Sequence, residues 1–151
     1  MPTSPLSLLP YSITAKVEFH IVTDLYGGGD LIDYLDEATN LQEKQVQVFM
    51  NRLLSCIEYL HDSRRMVHRD LKLENILLDT DKNLADMKLI DFGLARHFAP
   101  NDVFYELVGS TSYVAPQVIE GLYTAKCDIW SWYVDYCYVV GRADMLQYAN
   151  V

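Results

Sequence analysis

The sequence predicts an α+β fold, mainly helical with one small β-hairpin, on three observations. Val46, Phe49, Met50, Leu53, Leu54, Ile57 and Leu60 recur at the spacing of a helix with one buried face. Residues 76–78 and 87–90 are short apolar runs separated by a polar turn, the pattern of a hairpin. Half of the 151 residues are hydrophobic and 22% are charged, which is the composition of a globular chain with a real core.

Taken in order, residues 1–17 read as an irregular leader, with three prolines among the first ten residues. Residues 17–23 are rich in Val, Ile and Phe and alternate loosely, so they are a strand candidate, ended by Gly27, Gly28 and Gly29. A short helix is expected over 31–37. The long helix is expected over 41–61, with Asn40 as N-cap and Glu43 completing a capping box. The hairpin follows. Its turn, Asp79-Thr80-Asp81-Lys82-Asn83, opens like a calcium loop, but Leu84 stands where the turn glycine is needed and Ile90 where the closing glutamate is needed. The sequence holds no internal repeat and no low-complexity tract.

Twelve Lys and Arg against 21 Asp and Glu leave a net charge of −9. Such a surface repels nucleic acid and anionic membranes, so neither is expected as a partner, and basic peptides suit it better. Cys56, Cys127 and Cys137 form no CxxC or Cys/His pattern, which points to reduced thiols in an intracellular, cytoplasmic setting. No Lys or Arg precedes Lys16, which argues against a secretory signal, and Pro2 excludes N-myristoylation of the chain as written. The apolar stretch 129–140 is short for a membrane span and contains Asp135.

The chemistry is carried by His68-Arg69-Asp70-Leu71-Lys72-Leu73-Glu74-Asn75, then Asp91-Phe92-Gly93 beyond the hairpin, then Ala115-Pro116-Gln117. Singly, Asp70 reads as a turn residue, Lys72 as a solvated charge and Asn75 as a local cap. As an ordered set, HRD-x-K-x-x-N followed by DFG resembles the protein kinase family. The implied fold is a mainly helical large lobe with the hinge and a small β-hairpin, most of the small lobe being missing. On that reading residues 18–131 are a partial kinase domain, and residues 132–151 are a divergent tail.

The resemblance implies ATP and Mg²⁺ as cofactors and a protein or peptide Ser/Thr hydroxyl as acceptor. Phosphoryl transfer needs positioning and charge neutralisation more than covalent help. By resemblance Asp70 orients the substrate hydroxyl and takes its proton, and Lys72 sets a cation by the transferring group. Asn75 and Asp91 offer hard oxygen ligands for Mg²⁺. Ile21-Val22-Thr23-Asp24-Leu25-Tyr26 followed by three glycines resembles the inter-lobe hinge. The resemblance makes Thr23 the residue beside the adenine pocket and gives the backbone of Asp24 and Tyr26 to the adenine edge. Asp30 falls to the ribose or a basic substrate residue, Leu77 packs under the adenine, and Glu74 joins the nucleotide-contacting set. Ser110, in Gly109-Ser110-Thr111-Ser112-Tyr113-Val114, falls where the family bonds the catalytic Asp and Lys. Lys72 and this loop resemble the serine/threonine rather than the tyrosine kinases. Asp128-Ile129-Trp130-Ser131 matches the start of the central helix, where the Asp supports the HRD turn.

Residues 104–131 look most like calcium-dependent and calcium/calmodulin-dependent kinases. Glu106 sits four residues before Ser110, where many kinases carry an activating phosphothreonine, and a fixed carboxylate there is expected to pair with Arg69. The sequence departs from the family in having no Gly-rich phosphate loop, no VAIK-type lysine and no glutamate-bearing helix ahead of the hinge. It also has Gln117 for the Ala-Pro-Glu glutamate and Tyr133 for a usual glycine. The alternative reading is therefore a catalytically silent, kinase-derived binding module or a non-functional truncation. Turnover by this chain alone is not expected. Trp130, Trp132, Tyr133, Tyr136 and Tyr138 are expected to need cover, which favours aggregation or a chaperone partner.

Overall fold

The computed structural model describes residues 20–38 and 41–148. In order come α1 (Leu31–Glu37), α2 (Glu43–Glu58) with a π-turn (Tyr59–Ser63), β1 (Met66–Val67), a tight turn (Leu73–Asn75) and β2 (Ile76–Leu77). A second tight turn (Leu84–Asp86), β3 (Lys88–Leu89), β4 (Arg96–His97), α3 (Pro116–Ile119) and α4 (Cys127–Tyr148) complete the described chain. This is a mainly helical fragment with small antiparallel sheets, as the periodicity predicts.

The Asp30 side chain accepts the Asp33 amide at 2.9 Å and so starts α1. For α2, the expected cap Asn40 lies outside the described residues. Gln42 is the N-cap, and its amide donates to the Gln45 side chain at 3.1 Å, so Gln45 rather than Glu43 completes the capping box. The helix buries Val46, Phe49, Met50, Leu53 and Ile57. Leu54, counted with that face in the sequence, is instead 38% exposed. Full burial of side chains such as Phe49 or Leu53 stabilises by about 1.5–3 kcal/mol each. Beyond Glu58 the backbone widens, and the Arg64 amide donates five residues back, to the Tyr59 carbonyl at 3.2 Å.

The hairpin pairs Ile76 with Leu89 and Leu77 with Lys88. A second pair, Met66 with His97 and Val67 with Arg96, joins β1 to β4. Strands of two residues have no periodicity to read, so the sequence did not announce this one. The strand expected over 17–23 is corrected for its described part. Residues 20–23 are not a strand, and Ile21 and Val22 are 70% and 78% exposed. Among the described residues they have no strand to pair with, and β-propensity alone does not hold a strand. Residues 17–19 and the leader lie outside the described residues.

The main core joins α1, α2, the hairpin and α4 through Leu31, Leu35, Phe49, Leu53, Leu71, Leu73, Ile76, Leu78 and Val139. A second cluster holds Val67, Phe104, Ala115, Val118, Tyr123 and Cys127. The helix α4 lies along α2 and is tied to it where the Trp132 indole N–H donates to the Met50 carbonyl at 3.2 Å. Trp130, Tyr133, Tyr136 and Tyr138 are 39–52% exposed. Among the described residues no helix is long and apolar enough to cross a membrane.

Candidate active site

The catalytic turn is held from below by one carboxylate. Asp128, fully buried in the first turn of α4, accepts the His68 amide (2.8 Å) and the Arg69 amide (2.8 Å) on its two oxygens. His61, in the π-turn, places its Nε2 2.8 Å from the same carboxylate. These bonds fix Arg69 at φ 70°, a conformation a long side chain rarely adopts unless its surroundings impose it. Gly109 is needed beside it: at φ 104°, an added Cβ would meet the Arg69 carbonyl oxygen at 2.7 Å.

His68 is fully buried. Its Nε2 lies 3.0 Å from the Ile90 carbonyl, and the Asp70 amide donates to its Nδ1 at 3.3 Å. The pattern is that of the neutral ring with its proton on Nε2. Burial holds its basicity below the usual histidine value, despite the opposing pull of Asp128 and the Ile90 carbonyl. The Phe92 ring packs edge-on against it at 4.9 Å.

With the turn fixed, Asp70, Lys72, Asn75 and Ser110 converge. Asp70 Oδ1 accepts both the Ser110 amide and the Ser110 hydroxyl at 2.8 Å. Lys72 Nζ donates to the same hydroxyl at 2.9 Å and lies 3.3 Å from Asp70 Oδ2. The Asn75 amide nitrogen donates to the Asp70 carbonyl at 2.9 Å. Burial acts to raise the Asp70 pKa, but the Ser110 hydroxyl, Lys72 and the Ser110 amide outweigh it, so the carboxyl titrates below its ordinary value. Asp70 is therefore ionised at neutral pH and better suited to orienting a hydroxyl than to competing early for its proton.

The hairpin brings Asp91 to this cluster. The Ile90 amide donates to the Asn75 carbonyl at 2.9 Å, so Asp91 follows directly on the residue opposite Asn75. Asp91 sits at φ 61°, and its Oδ1 accepts the Gly93 amide at 3.1 Å. Asn75 uses its nitrogen on Asp70, which leaves the side-chain oxygen for a ligand. One amide oxygen and one exposed carboxylate are hard donors that fit Mg²⁺. Among the described residues no three His, Cys, Asp or Glu side chains gather as a metal cage, so the remaining ligands would have to come from nucleotide and water.

Arg69 and Glu106 meet at 3.4 Å, and Arg69 also donates through Nε to the Leu94 carbonyl at 2.7 Å. Two partners of this clasp escaped the sequence reading. Arg96, on β4, pairs with the other Glu106 oxygen, and the Tyr123 hydroxyl donates to the Glu106 carbonyl at 2.8 Å. Only the β1–β4 pairing and the bridge between Phe104 and Tyr123 bring them there, and no local pattern announces either. The Glu106 carboxyl titrates below its usual range, through its own backbone amide first; desolvation opposes this, and Arg96, the Tyr105 amide and Arg69 together more than offset it.

The hinge residues are placed differently. Thr23 and Asp24 are exposed, and Tyr26 lies under Lys88 at 5.6 Å. The segment joins the hairpin just beyond them: the Gly28 amide donates to the Leu78 carbonyl at 3.0 Å, and the Leu78 amide to the Gly29 carbonyl at 2.9 Å. A Cβ on Gly28 would come within 2.1 Å of the Asp79 carbonyl oxygen, so only glycine permits this approach. Asp30 bridges to Leu77. Glu74 is exposed, and its carboxylate accepts the Tyr113 hydroxyl at 3.3 Å. The acidic turn run is structural: the Asp79, Asp81 and Asn83 side chains accept nearby backbone amides.

The family model described as a protein kinase domain matches residues 7–147. Calcium-dependent protein kinase 4 of Plasmodium berghei (strain Anka) is 44% identical over 115 residues, which is 75% of this chain and 21% of that protein. Its namesake in Plasmodium falciparum (isolate 3D7) matches to the same extent, and calcium-dependent protein kinase 7 of Oryza sativa subsp. japonica is 43% identical over 113 residues, 74% of this chain and 20% of that protein. The chain thus spans about a fifth of the length of the curated relatives it matches. With the His68–Asn75 turn, the metal-suited oxygens and Ser110 on adjoining loops, and with that match along most of its length, the chain belongs to the protein kinase domain family.

Proposed function

We propose that this chain supplies the catalytic loop, the metal-binding oxygens and the substrate-facing loop of an ATP-dependent serine/threonine protein kinase, which transfers the γ-phosphoryl group to a Ser or Thr hydroxyl of a protein. The observation that carries the reading is the Ser110 hydroxyl, bonded at once to Asp70 and Lys72. That bridge ties the acceptor-side loop to the catalytic turn, so the residue that orients the hydroxyl and the cation that balances the phosphoryl charge are held as one unit.

In this mechanism Asp70 orients the acceptor hydroxyl and takes its proton as the new O–P bond forms and the bond from the γ-phosphorus to the leaving ADP breaks. Lys72 sets positive charge beside the transferring group. Asn75 and Asp91 would hold Mg²⁺, which, with ATP, supplies the phosphoryl donor and neutralises phosphate charge. The acidic surface favours acceptors set among basic residues.

The test is nucleotide titration with and without Mg²⁺, then transfer to a basic serine peptide by the protein that carries this segment. Asp70→Asn is expected to lower the rate by about 10²- to 10⁴-fold. Full activity in that variant would sink the assignment, and nucleotide binding with no Asp70-dependent transfer would favour a silent binding module.

A further inference from the structure

Asp135 takes no part in the site described above, yet it is fully buried on α4, two turns beyond Asp128. Among the described residues neither of its carboxylate oxygens has a hydrogen-bond partner. Asp128 makes the contrast: equally buried, it is satisfied by two amides and His61. A buried carboxylate without partners is tolerable only if it keeps its proton, because an unpaired charge in an apolar setting is far more costly than a neutral acid.

The surroundings press the same way. The helix α2, packed along α4, buries only Val46, Phe49, Met50, Leu53 and Ile57. The catalytic loop contributes Glu74, whose negative charge is the one charge among the described residues that acts on Asp135. The substrate-facing loop contributes Tyr113, which feels Asp135, Glu74 and, from α4 itself, Tyr138, and whose hydroxyl is already given to Glu74. Among the described residues no cation answers Asp135 from any of these elements.

We propose that Asp135 is a proton-linked latch: with its proton on, α4 stays docked beneath the catalytic turn, and loss of that proton loosens α4 and the turn together. The coupling is built into one helix. The same α4 carries Asp128, whose oxygens hold the His68 and Arg69 amides, so a displaced α4 takes the support of the turn with it. Burial first, and Glu74 second, push the Asp135 carboxyl up to about 8 from an ordinary value of 3.8. The folded state therefore keeps a proton that the unfolded chain loses. This group's contribution is most favourable below the unfolded value, declines as pH rises, and levels off above about 8. Within that window the folding constant is expected to fall about tenfold per pH unit relative to a chain without the acid.

The experiment is denaturant unfolding of the chain from pH 5 to 9, for wild type, Asp135→Asn, Asp135→Leu and Glu74→Gln, with amide hydrogen exchange at His68 and Arg69. The wild type should lose stability relative to Asp135→Asn by about tenfold per pH unit up to about 8. Glu74→Gln should move the upper end of that window to lower pH. Protection of the His68 and Arg69 amides, corrected for intrinsic exchange, should fall with the wild-type stability and stay level in Asp135→Asn. The leucine variant guards against an asparagine that packs badly, since it keeps the site apolar and should flatten the profile equally. Parallel pH profiles for wild type and both Asp135 variants would overturn the proposal. A pH-dependent stability difference that leaves His68 and Arg69 protection unchanged would also overturn it, because α4 would then not carry the turn.

Discussion

Ser110 and Asp70, 40 residues apart in sequence, share two hydrogen bonds of 2.8 Å, one from the serine amide and one from its hydroxyl. The pair locks the Ser110 loop onto the Asp70 carboxylate. Because Lys72 donates to the same hydroxyl, removing that one oxygen disturbs both charged groups.

Ser110→Ala is expected to lower phosphoryl transfer by about one to two orders of magnitude, since a hydrogen bond to a charged group is worth about 1.5–3 kcal/mol. Ser110→Thr should retain most of the rate. The Ser110 bonds hold the Asp70 carboxyl below its ordinary value. Loss of the hydroxyl bond, the larger of the two influences, should shift the acid limb of the pH–rate profile to higher pH. A Ser110→Ala enzyme with unchanged rate and unchanged acid limb would contradict the bridge.

Asp128→Ala should be among the most destabilising single changes in the segment. It leaves the His68 and Arg69 amides unpaired in the interior, at a cost of roughly 3 kcal/mol or more. Urea unfolding measures it directly, and a loss well under 1 kcal/mol would mean that the turn holds itself.

Glu106 is clasped by Arg69 and Arg96. An active form should therefore work without phosphorylation of this loop, and Glu106→Ala should reduce its rate while leaving the fold intact. Phosphate-free enzyme prepared with phosphatase provides the assay. Activity that appears only after loop phosphorylation would refute the clasp as a switch.

Mg²⁺ should bind to Asn75 and Asp91 only together with nucleotide, because two protein oxygens make a weak site. Calorimetry should show no Mg²⁺ uptake below the millimolar range without nucleotide, and Asp91→Asn should weaken uptake when nucleotide is present. Tight binding of the bare ion would exclude this pairing.

The sequence by itself determined the local parts. The chemistry-bearing residues from His68 to Asn75 and Asp91 to Gly93 are legible because their spacing is set along short loops. The helix α2 is legible because burying one face repeats every three to four residues, and the hairpin because two apolar runs flank a polar turn. Tertiary structure alone decided what those parts rest on. Asp128 reaches the His68 amide across 60 residues, and Arg96 reaches Glu106 only after β4 has paired with β1. The strand expected around Ile21 needed a neighbour to pair with, and none of the described residues supplies it. Asp135 looked like a polar interruption in an apolar stretch. Its burial with no partner among the described residues comes from the packing of α4 against α2 and the catalytic loop, and the cost of a buried charge depends on surroundings that no local spacing encodes.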